Sequence, residues 1–160
     1  MDQAPGLQRF RDEVESKLPA LVEELLECAP HRRGIDRAPA AAGIYLYSEG
    51  DRHLYVGRTR DLSRRWGDHT QPKKGINSAA LAFNIAKRDA AAAGINVETG
   101  RDLLAGDPAF AALFVAAKAR VRQMDYRYVR VDSPVLSTVG EVYAAVVLGT
   151  EGDFNAFETH

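Results

Sequence analysis

One cysteine, Cys28, stands in a chain of 160 residues. That excludes an internal disulfide and any zinc site built on several cysteines. No apolar run approaches the roughly 18 residues that a membrane span needs. The opening stretch MDQAPGLQRF lacks the basic-then-apolar order of a secretory signal. These absences lead to the expectation of a soluble, cytoplasmic protein with no membrane partner. A P-loop, a G-x-S-x-G elbow, an HExxH helix and an EF-hand are missing too. An E-x-K fragment, Glu15-Ser16-Lys17, lies on a helical pattern rather than on a strand with a preceding acid, so it reads as coincidence. No internal repeat is present.

What is there suits a globular chain: 46% hydrophobic and 27% charged residues, long enough for one domain with a real core and an extension. The net charge of −1 hides an uneven distribution. Residues 1–30 hold seven acidic side chains against three basic ones. Residues 52–74 hold Arg52, Arg58, Arg60, Arg64, Arg65, Lys73 and Lys74 against Asp61 and Asp68, a local balance of +5. Lys118, Arg120, Arg122, Arg127 and Arg130 against Asp125 add a second cluster of +4. Phosphate binding responds to local potential, so a near-neutral total leaves a nucleic-acid partner open. Taken singly, each cluster also reads as a solvated face.

Along the chain, Leu7, Phe10, Val14, Leu18, Leu21 and Leu25 recur at helical spacing, predicting an amphipathic helix over 7–27, bent or split at Pro19. APHRRGIDRAPAAAG (29–43) reads as a linker. Strands follow at 43–48 and 53–57, then helices at about 61–69, 78–93, 108–119 and 134–148, with a strand at 120–131 before the last. The segment 95–107 reads as loop or short helix, and the tail EGDFNAFETH as irregular. The expected fold is α+β, a small three-stranded, mainly antiparallel sheet flanked by helices, with an extra N-terminal helix. The expected organisation is a helical extension at 1–36 and a domain at 37–160 with a helical insertion at about 95–119.

Three places carry chemistry. Tyr45 and Tyr55 share a sheet face only if the hairpin loop holds an odd number of residues, and a three-residue loop Glu49-Gly50-Asp51 with Gly50 left-handed meets that condition. Otherwise they are ordinary strand aromatics. In the next helix Leu62, Arg65, Trp66 and His69 lie on one stripe, so an arginine and a histidine border the core and need a polar site, or Arg65 snorkels. Glu141 is the only carboxylate of an apolar helix, expected to face a metal or a cation unless it lies on a solvent stripe or completes a capping box with Thr138.

Together these residues resemble the GIY-YIG nuclease family. Gly43-Ile44-Tyr45, then Tyr55-Val56-Gly57, then Arg65 and His69 within DLSRRWGDH, Glu141 and Asn155 stand in the family's order, spread over 43–155. The resemblance implies a metal-dependent endonuclease that hydrolyses phosphodiester bonds of DNA (ahead of RNA) with one Mg²⁺ or Mn²⁺ per site. It implies Glu141 as metal ligand, Arg65 on the phosphate or transition state, and Tyr45 and Tyr55 activating or positioning water with His69 assisting. Gly57, Asn77 and Asn155 would be supporting residues. Asn77 stands in KGINS where the homing branch has a histidine, so that second histidine is absent. Arg58, Arg60, Arg64, Lys73 and Lys74 are the expected nucleic-acid contacts.

The chemistry agrees with this assignment. Mg²⁺ takes one or two carboxylates with waters and substrate phosphate, so one glutamate suffices. A planar guanidinium matches phosphate. A tyrosine of ordinary pKa, about 10, is a poor base at neutral pH, so Tyr45 as general base and tyrosines as positioners of a metal-activated water both stand. The rivals are a non-catalytic nucleic-acid-binding module on the same fold, and a protein-interaction role for the acidic helix 7–27.

Overall fold

Gly43–Glu49 (β1) and Arg52–Thr59 (β2) form the expected antiparallel hairpin in the computed structural model, which describes residues 4–157. The first three residues of the expected extension and the last three of the chain lie outside that range. The loop differs from the expectation. Glu49 pairs with Arg52, leaving a two-residue turn, Gly50-Asp51, with Gly50 left-handed at φ +57°. A two-residue turn alone would put Tyr45 and Tyr55 on opposite faces. The register shifts between Tyr47 and Ser48, however: Ser48 pairs with His53 while Tyr47 pairs with Tyr55. Leu54 is the extra residue of a bulge, and the bulge restores the shared face by another route.

Asp125–Arg130 (β3) adds to the other side of β1, antiparallel, giving the order β2-β1-β3. The predicted strand from 120 is too long at its start. Residues 120–123 instead finish the helix Pro108–Gln123, whose buried residues Phe110, Phe114, Ala117 and Val121 follow helical spacing. Packing along that stripe overrides the β-leaning composition.

The N-terminal segment is two helices, Pro5–Glu13 (α1) and Leu18–Glu27 (α2), joined by a 3₁₀ turn at Glu15–Lys17. Pro19 does not cause the break. It sits in the first turn of α2, where a missing N–H costs nothing. Leu62–Thr70 (α3) is capped by Asp61, whose side chain accepts from the Arg64 N–H. Ala80–Ala92 (α4), Arg101–Gly106 (α5), the helix at 108–123 (α6) and Pro134–Leu148 (α7) complete the set, α7 starting on the Ser133 side chain and ending on left-handed Gly149. No helix among the described residues is long and apolar enough to cross a membrane.

Both faces of the sheet are covered, which is why β1 is buried almost throughout. One face carries Tyr45, Tyr47, Leu54 and Tyr126 against α3, α4 and α6. The other carries Ile44, Leu46, Val56 and Val129 against Leu21, Val22 and Leu25 of α2 and Ala144 and Ala145 of α7. Gly140 lets α7 approach: a Cβ there would lie 2.8 Å from the Ile44 Cδ1. The expected linker is partly ordered by pairing, since His31 and Tyr126 exchange backbone hydrogen bonds of 2.8 and 3.1 Å.

Candidate active site

Tyr45 lies at the middle of the central strand, opposite Gly57 on β2 and Tyr128 on β3. Its ring lies across the face of Gly57, where any Cβ would overlap the Tyr45 Cζ and hydroxyl. The glycine of the Tyr-Val-Gly triplet therefore makes room for the tyrosine of the Gly-Ile-Tyr triplet. Gly43 is constrained likewise, since a Cβ there would run into the Val129 carbonyl oxygen. Tyr47, paired with Tyr55 and Tyr126, extends the same aromatic face.

Helix α3 closes over that face. Trp66 stacks on Tyr126 with centroids 4.6 Å apart and planes 8° from parallel. His69, fully buried, sits among Tyr45, Tyr47 and Tyr55 with ring centroids 5.7, 5.5 and 6.0 Å away. Its Nε2 is hydrogen-bonded to the Tyr45 hydroxyl at 3.0 Å, and its Nδ1 is buried without a partner. Burial, helped by the positive charges of Arg65 and Lys118, holds the His69 pKa down at about 3, so the imidazole is neutral. Burial also pushes both tyrosines away from ionising, Tyr45 far above the usual phenol range and Tyr55 to a lesser degree. Tyr45 is sealed inside, whereas Tyr55 is partly exposed.

Arg65, half-buried, borders the same phenols. Burial opposes its charge, but the nearby Tyr45 and Tyr55 more than offset this. Its Nε is buried with no hydrogen-bond partner among the described residues.

Glu141 reaches the site from α7, though not as an unpaired acid in an apolar interior. The buried stripe of α7 is Ser137, Gly140, Ala144 and Ala145, while Val142 and Val146 are exposed. Glu141 stands at the border of that stripe, and its Oε2 accepts from the Arg58 Nε at 3.0 Å. Burial raises its pKa and Arg58 opposes the rise. After burial, Glu141 is the largest cause of the raised Tyr55 pKa, and it acts on Tyr45 too, so its charge is felt at both phenols.

Could these residues hold a divalent cation? No group of three or more His, Cys, Asp or Glu side chains among the described residues could hold one alone. Glu141 is a single carboxylate with one oxygen engaged by Arg58. That donor set fits a hydrated, oxygen-preferring ion such as Mg²⁺ or Mn²⁺ completed by substrate phosphate, not a chelating cage. Beside it, Arg58, Arg60 and Arg65 line an open cleft of about 520 Å³ with Asp132 and Ser137 on its far side.

The other expected contacts are scattered. Arg64 is highly exposed, 4.0 Å from Asp68, and Lys74 pairs with Asp68 at 3.3 Å. Lys73 is exposed. Asn77 lines a separate cleft with Ile76, Phe110 and Phe114, away from the tyrosine face. Asn155 clamps β2: its Oδ1 accepts from the Val56 N–H at 2.8 Å and its Nδ2 donates to the Val56 carbonyl at 2.7 Å. The second basic cluster is mostly spent on structure. Lys118 is buried and donates to the Asp68 and Lys74 carbonyls, Arg120 is bidentate on Glu49, and Arg127 donates to the Cys28 carbonyl. It therefore forms no free wall of a groove. The Arg58–Glu141 pairing and the role of Tyr47 in enclosing His69 escaped the sequence, although the shared parity of Tyr45 and Tyr47 was a signal for the second.

The site thus combines a tyrosine-lined sheet face, a crossing helix bearing arginine and histidine, and a glutamate on α7 whose charge acts on the phenols. Residues 41–91 match the family model of the GIY-YIG catalytic domain, so that span is similar to the catalytic domain of that nuclease family. The matched span holds Tyr45, Tyr55, Arg65 and His69, while Glu141 and Asn155 lie beyond it. No curated protein and no solved structure matches the chain.

Proposed function

We propose that the protein is a divalent-metal-dependent endonuclease that hydrolyses phosphodiester bonds of DNA, acting in the cytoplasm. What supports this reading is the aromatic face on which Tyr45, Tyr55 and His69 meet, with the charges of Arg65 and Glu141 bearing on the same phenols, beside a cleft lined by arginines.

Hydrolysis needs the scissile phosphate held, the growing negative charge on its oxygens neutralised, and a water aligned opposite the leaving oxygen. Arg65 supplies a half-buried guanidinium in the lining of the cleft, and Arg60 an exposed one beside it. Glu141 would hold the cation, with the phosphate completing its shell; when bound, the ion supplies Lewis-acid stabilisation of the phosphoryl oxygens. Tyr55, the partly exposed phenol, is placed to orient the attacking water. His69 fixes the rotor of Tyr45 through their 3.0 Å hydrogen bond. Neither phenol is set up as a phenolate base, since burial raises both. The tyrosines therefore act as positioners, not as stored bases.

The test is nicking of supercoiled plasmid by the full chain with Mg²⁺ or Mn²⁺, against EDTA. Metal-dependent nicking that Arg65→Ala and Glu141→Ala abolish is the expected result. A folded wild-type protein that binds DNA but never cuts it would instead be the non-catalytic module.

A further inference from the structure

The stretch Arg32-Arg33-Gly34-Ile35-Asp36-Arg37 is a tight, braced turn rather than a slack connection. The Arg32 carbonyl accepts from the Ile35 and Asp36 N–H groups at 3.2 and 2.9 Å. The Asp36 carboxylate folds back to accept from the Arg32 N–H at 2.7 Å, and Gly34 takes φ +95°. At one end the turn is tied to β3 through His31 and Tyr126, and Arg32 donates to Gln123 O at 2.6 Å and pairs with Asp125 at 2.8 Å. At the other end Ala38 is buried, and the Pro39 and Ala41 carbonyls accept from Ser63 and Leu62 at the start of α3.

On the crest of this turn stands Ile35, 83% exposed, more than any other large apolar side chain among the described residues. A lone exposed aliphatic residue needs no explanation by itself. This one stands on a turn that also carries Arg33 and Arg37. Arg33 lies 5.3 Å from the centroid of Trp66, on the helix that carries Arg65 and His69. Arg122 reaches Gly34, and Arg37 follows the crest. The single acid of the turn, Asp36, is turned inward onto backbone, so it does not confront an approaching anion.

We propose that the 32–37 turn is a DNA wedge, with Ile35 inserting between base pairs of bound duplex while the exposed Arg37 and Arg122 hold the flanking phosphates. An apolar side chain on a stiff support flanked by arginines is the arrangement by which proteins unstack and kink a duplex. Unstacking costs free energy, which the arginine contacts offset; kinked or mispaired duplex, already partly unstacked, would be preferred. The polymer's identity rests on the nuclease reading above, whereas the wedge itself rests on the turn.

The experiment uses short duplexes with 2-aminopurine at successive positions, bound by the full chain in EDTA so that no cleavage intervenes. Wild type should raise the fluorescence at one step, and Ile35→Ala should abolish the rise while binding still occurs. Ile35 is exposed, so Ile35→Ala should fold as wild type, and circular dichroism checks it. Arg37→Ala and Arg122→Ala should each weaken binding about 5–10-fold and reduce the salt slope by about one. A fluorescence rise unchanged in Ile35→Ala overturns the wedge, as does a salt slope unchanged in both arginine variants. Ile35-dependent unstacking by a protein that never cuts any substrate would keep the wedge and reject the nuclease. Metal-dependent cutting with no dependence on Ile35 would do the reverse.

Discussion

The Arg58 Nε stands 3.0 Å from the Glu141 Oε2, so the carboxylate expected to take a metal ion has a guanidinium on it in the free protein. The Arg58 side chain is about half exposed, and such a pair contributes at most about 1 kcal/mol to stability. Glu141→Ala should therefore fold with a melting temperature near wild type and bind DNA, yet show no metal-dependent nicking. Arg58→Ala should bind Mn²⁺ more tightly than wild type in the absence of DNA, read by electron paramagnetic resonance of the free ion. Full nicking by folded Glu141→Ala would reject Glu141 as the ligand. Unchanged Mn²⁺ affinity in Arg58→Ala would mean that the pair does not compete with the ion.

Gly57→Ala should be among the most damaging single methyls in the hairpin, alongside Gly43→Ala. Its Cβ would overlap the Tyr45 ring, which has no free direction of retreat because its hydroxyl is bonded to His69 and its neighbours are Tyr47 and Tyr126. Overpacking of this kind costs about 1–3 kcal/mol, a fall in Tm of roughly 5 °C for a chain of this size. Cleavage should fall further than stability explains, since the Tyr45 hydroxyl must leave His69. Gly50→Ala is the control: its φ of +57° makes the change costly by about 1 kcal/mol, but a Cβ there meets nothing, and activity per folded molecule should hold. Calorimetry with matched nicking assays separates the two outcomes.

Much of this site was legible because its residues sit on regular elements with short periods. Alternation placed Tyr45 and Tyr47 together, and helical spacing put Arg65, Trp66 and His69 on one stripe. What escaped depends on contacts far apart in sequence. The bulge at Leu54 is a local irregularity that alternation cannot signal, so the right face was reached through the wrong loop. Residues 120–123 look like strand by composition but join α6, because Val121 completes a buried helical stripe against the tyrosine face. Lys118 and Arg120 look like free charge in the sequence, yet their partners, the Asp68 carbonyl and Glu49, lie 50 and 71 residues away.

Asn155 offers a test of support as distinct from chemistry. Its amide pairs with both backbone groups of Val56 and so occupies part of the outer edge of β2, where no fourth strand pairs among the described residues. Asn155→Ala leaves a buried N–H and C=O without partners, at about 1–3 kcal/mol each. Stability should drop by about 2–6 kcal/mol for the two groups together, and hydrogen exchange should accelerate at Val56 before it does in β3. Because Tyr55 and Gly57 flank Val56, nicking should decline, and it should be partly restored by lowering the assay temperature. An Asn155→Ala protein with wild-type exchange at Val56 would show that the clamp carries no load.

His69 should give the protein a distinctive acid sensitivity. The unfolded chain binds a proton at His69 below about pH 6.5, whereas burial holds the folded-state pKa at about 3. Between these values the unfolded state carries more protons, so this group makes stability rise with pH and fall on acidification. The slope is up to about 1.4 kcal/mol per pH unit, acting from about 6.5 downward. Replacing the imidazole by an amide, His69→Gln, removes that contribution while leaving a group able to hydrogen-bond the Tyr45 hydroxyl. Denaturant melts of both proteins from pH 7 to pH 4 should therefore converge in stability as the pH falls, the carboxylates common to both cancelling in the comparison. Parallel pH profiles would show that His69 is not the group held neutral. So would a folded-state NMR titration placing its midpoint near 6.5, and the fixed Tyr45–His69 pair at the centre of the site would then have to be abandoned.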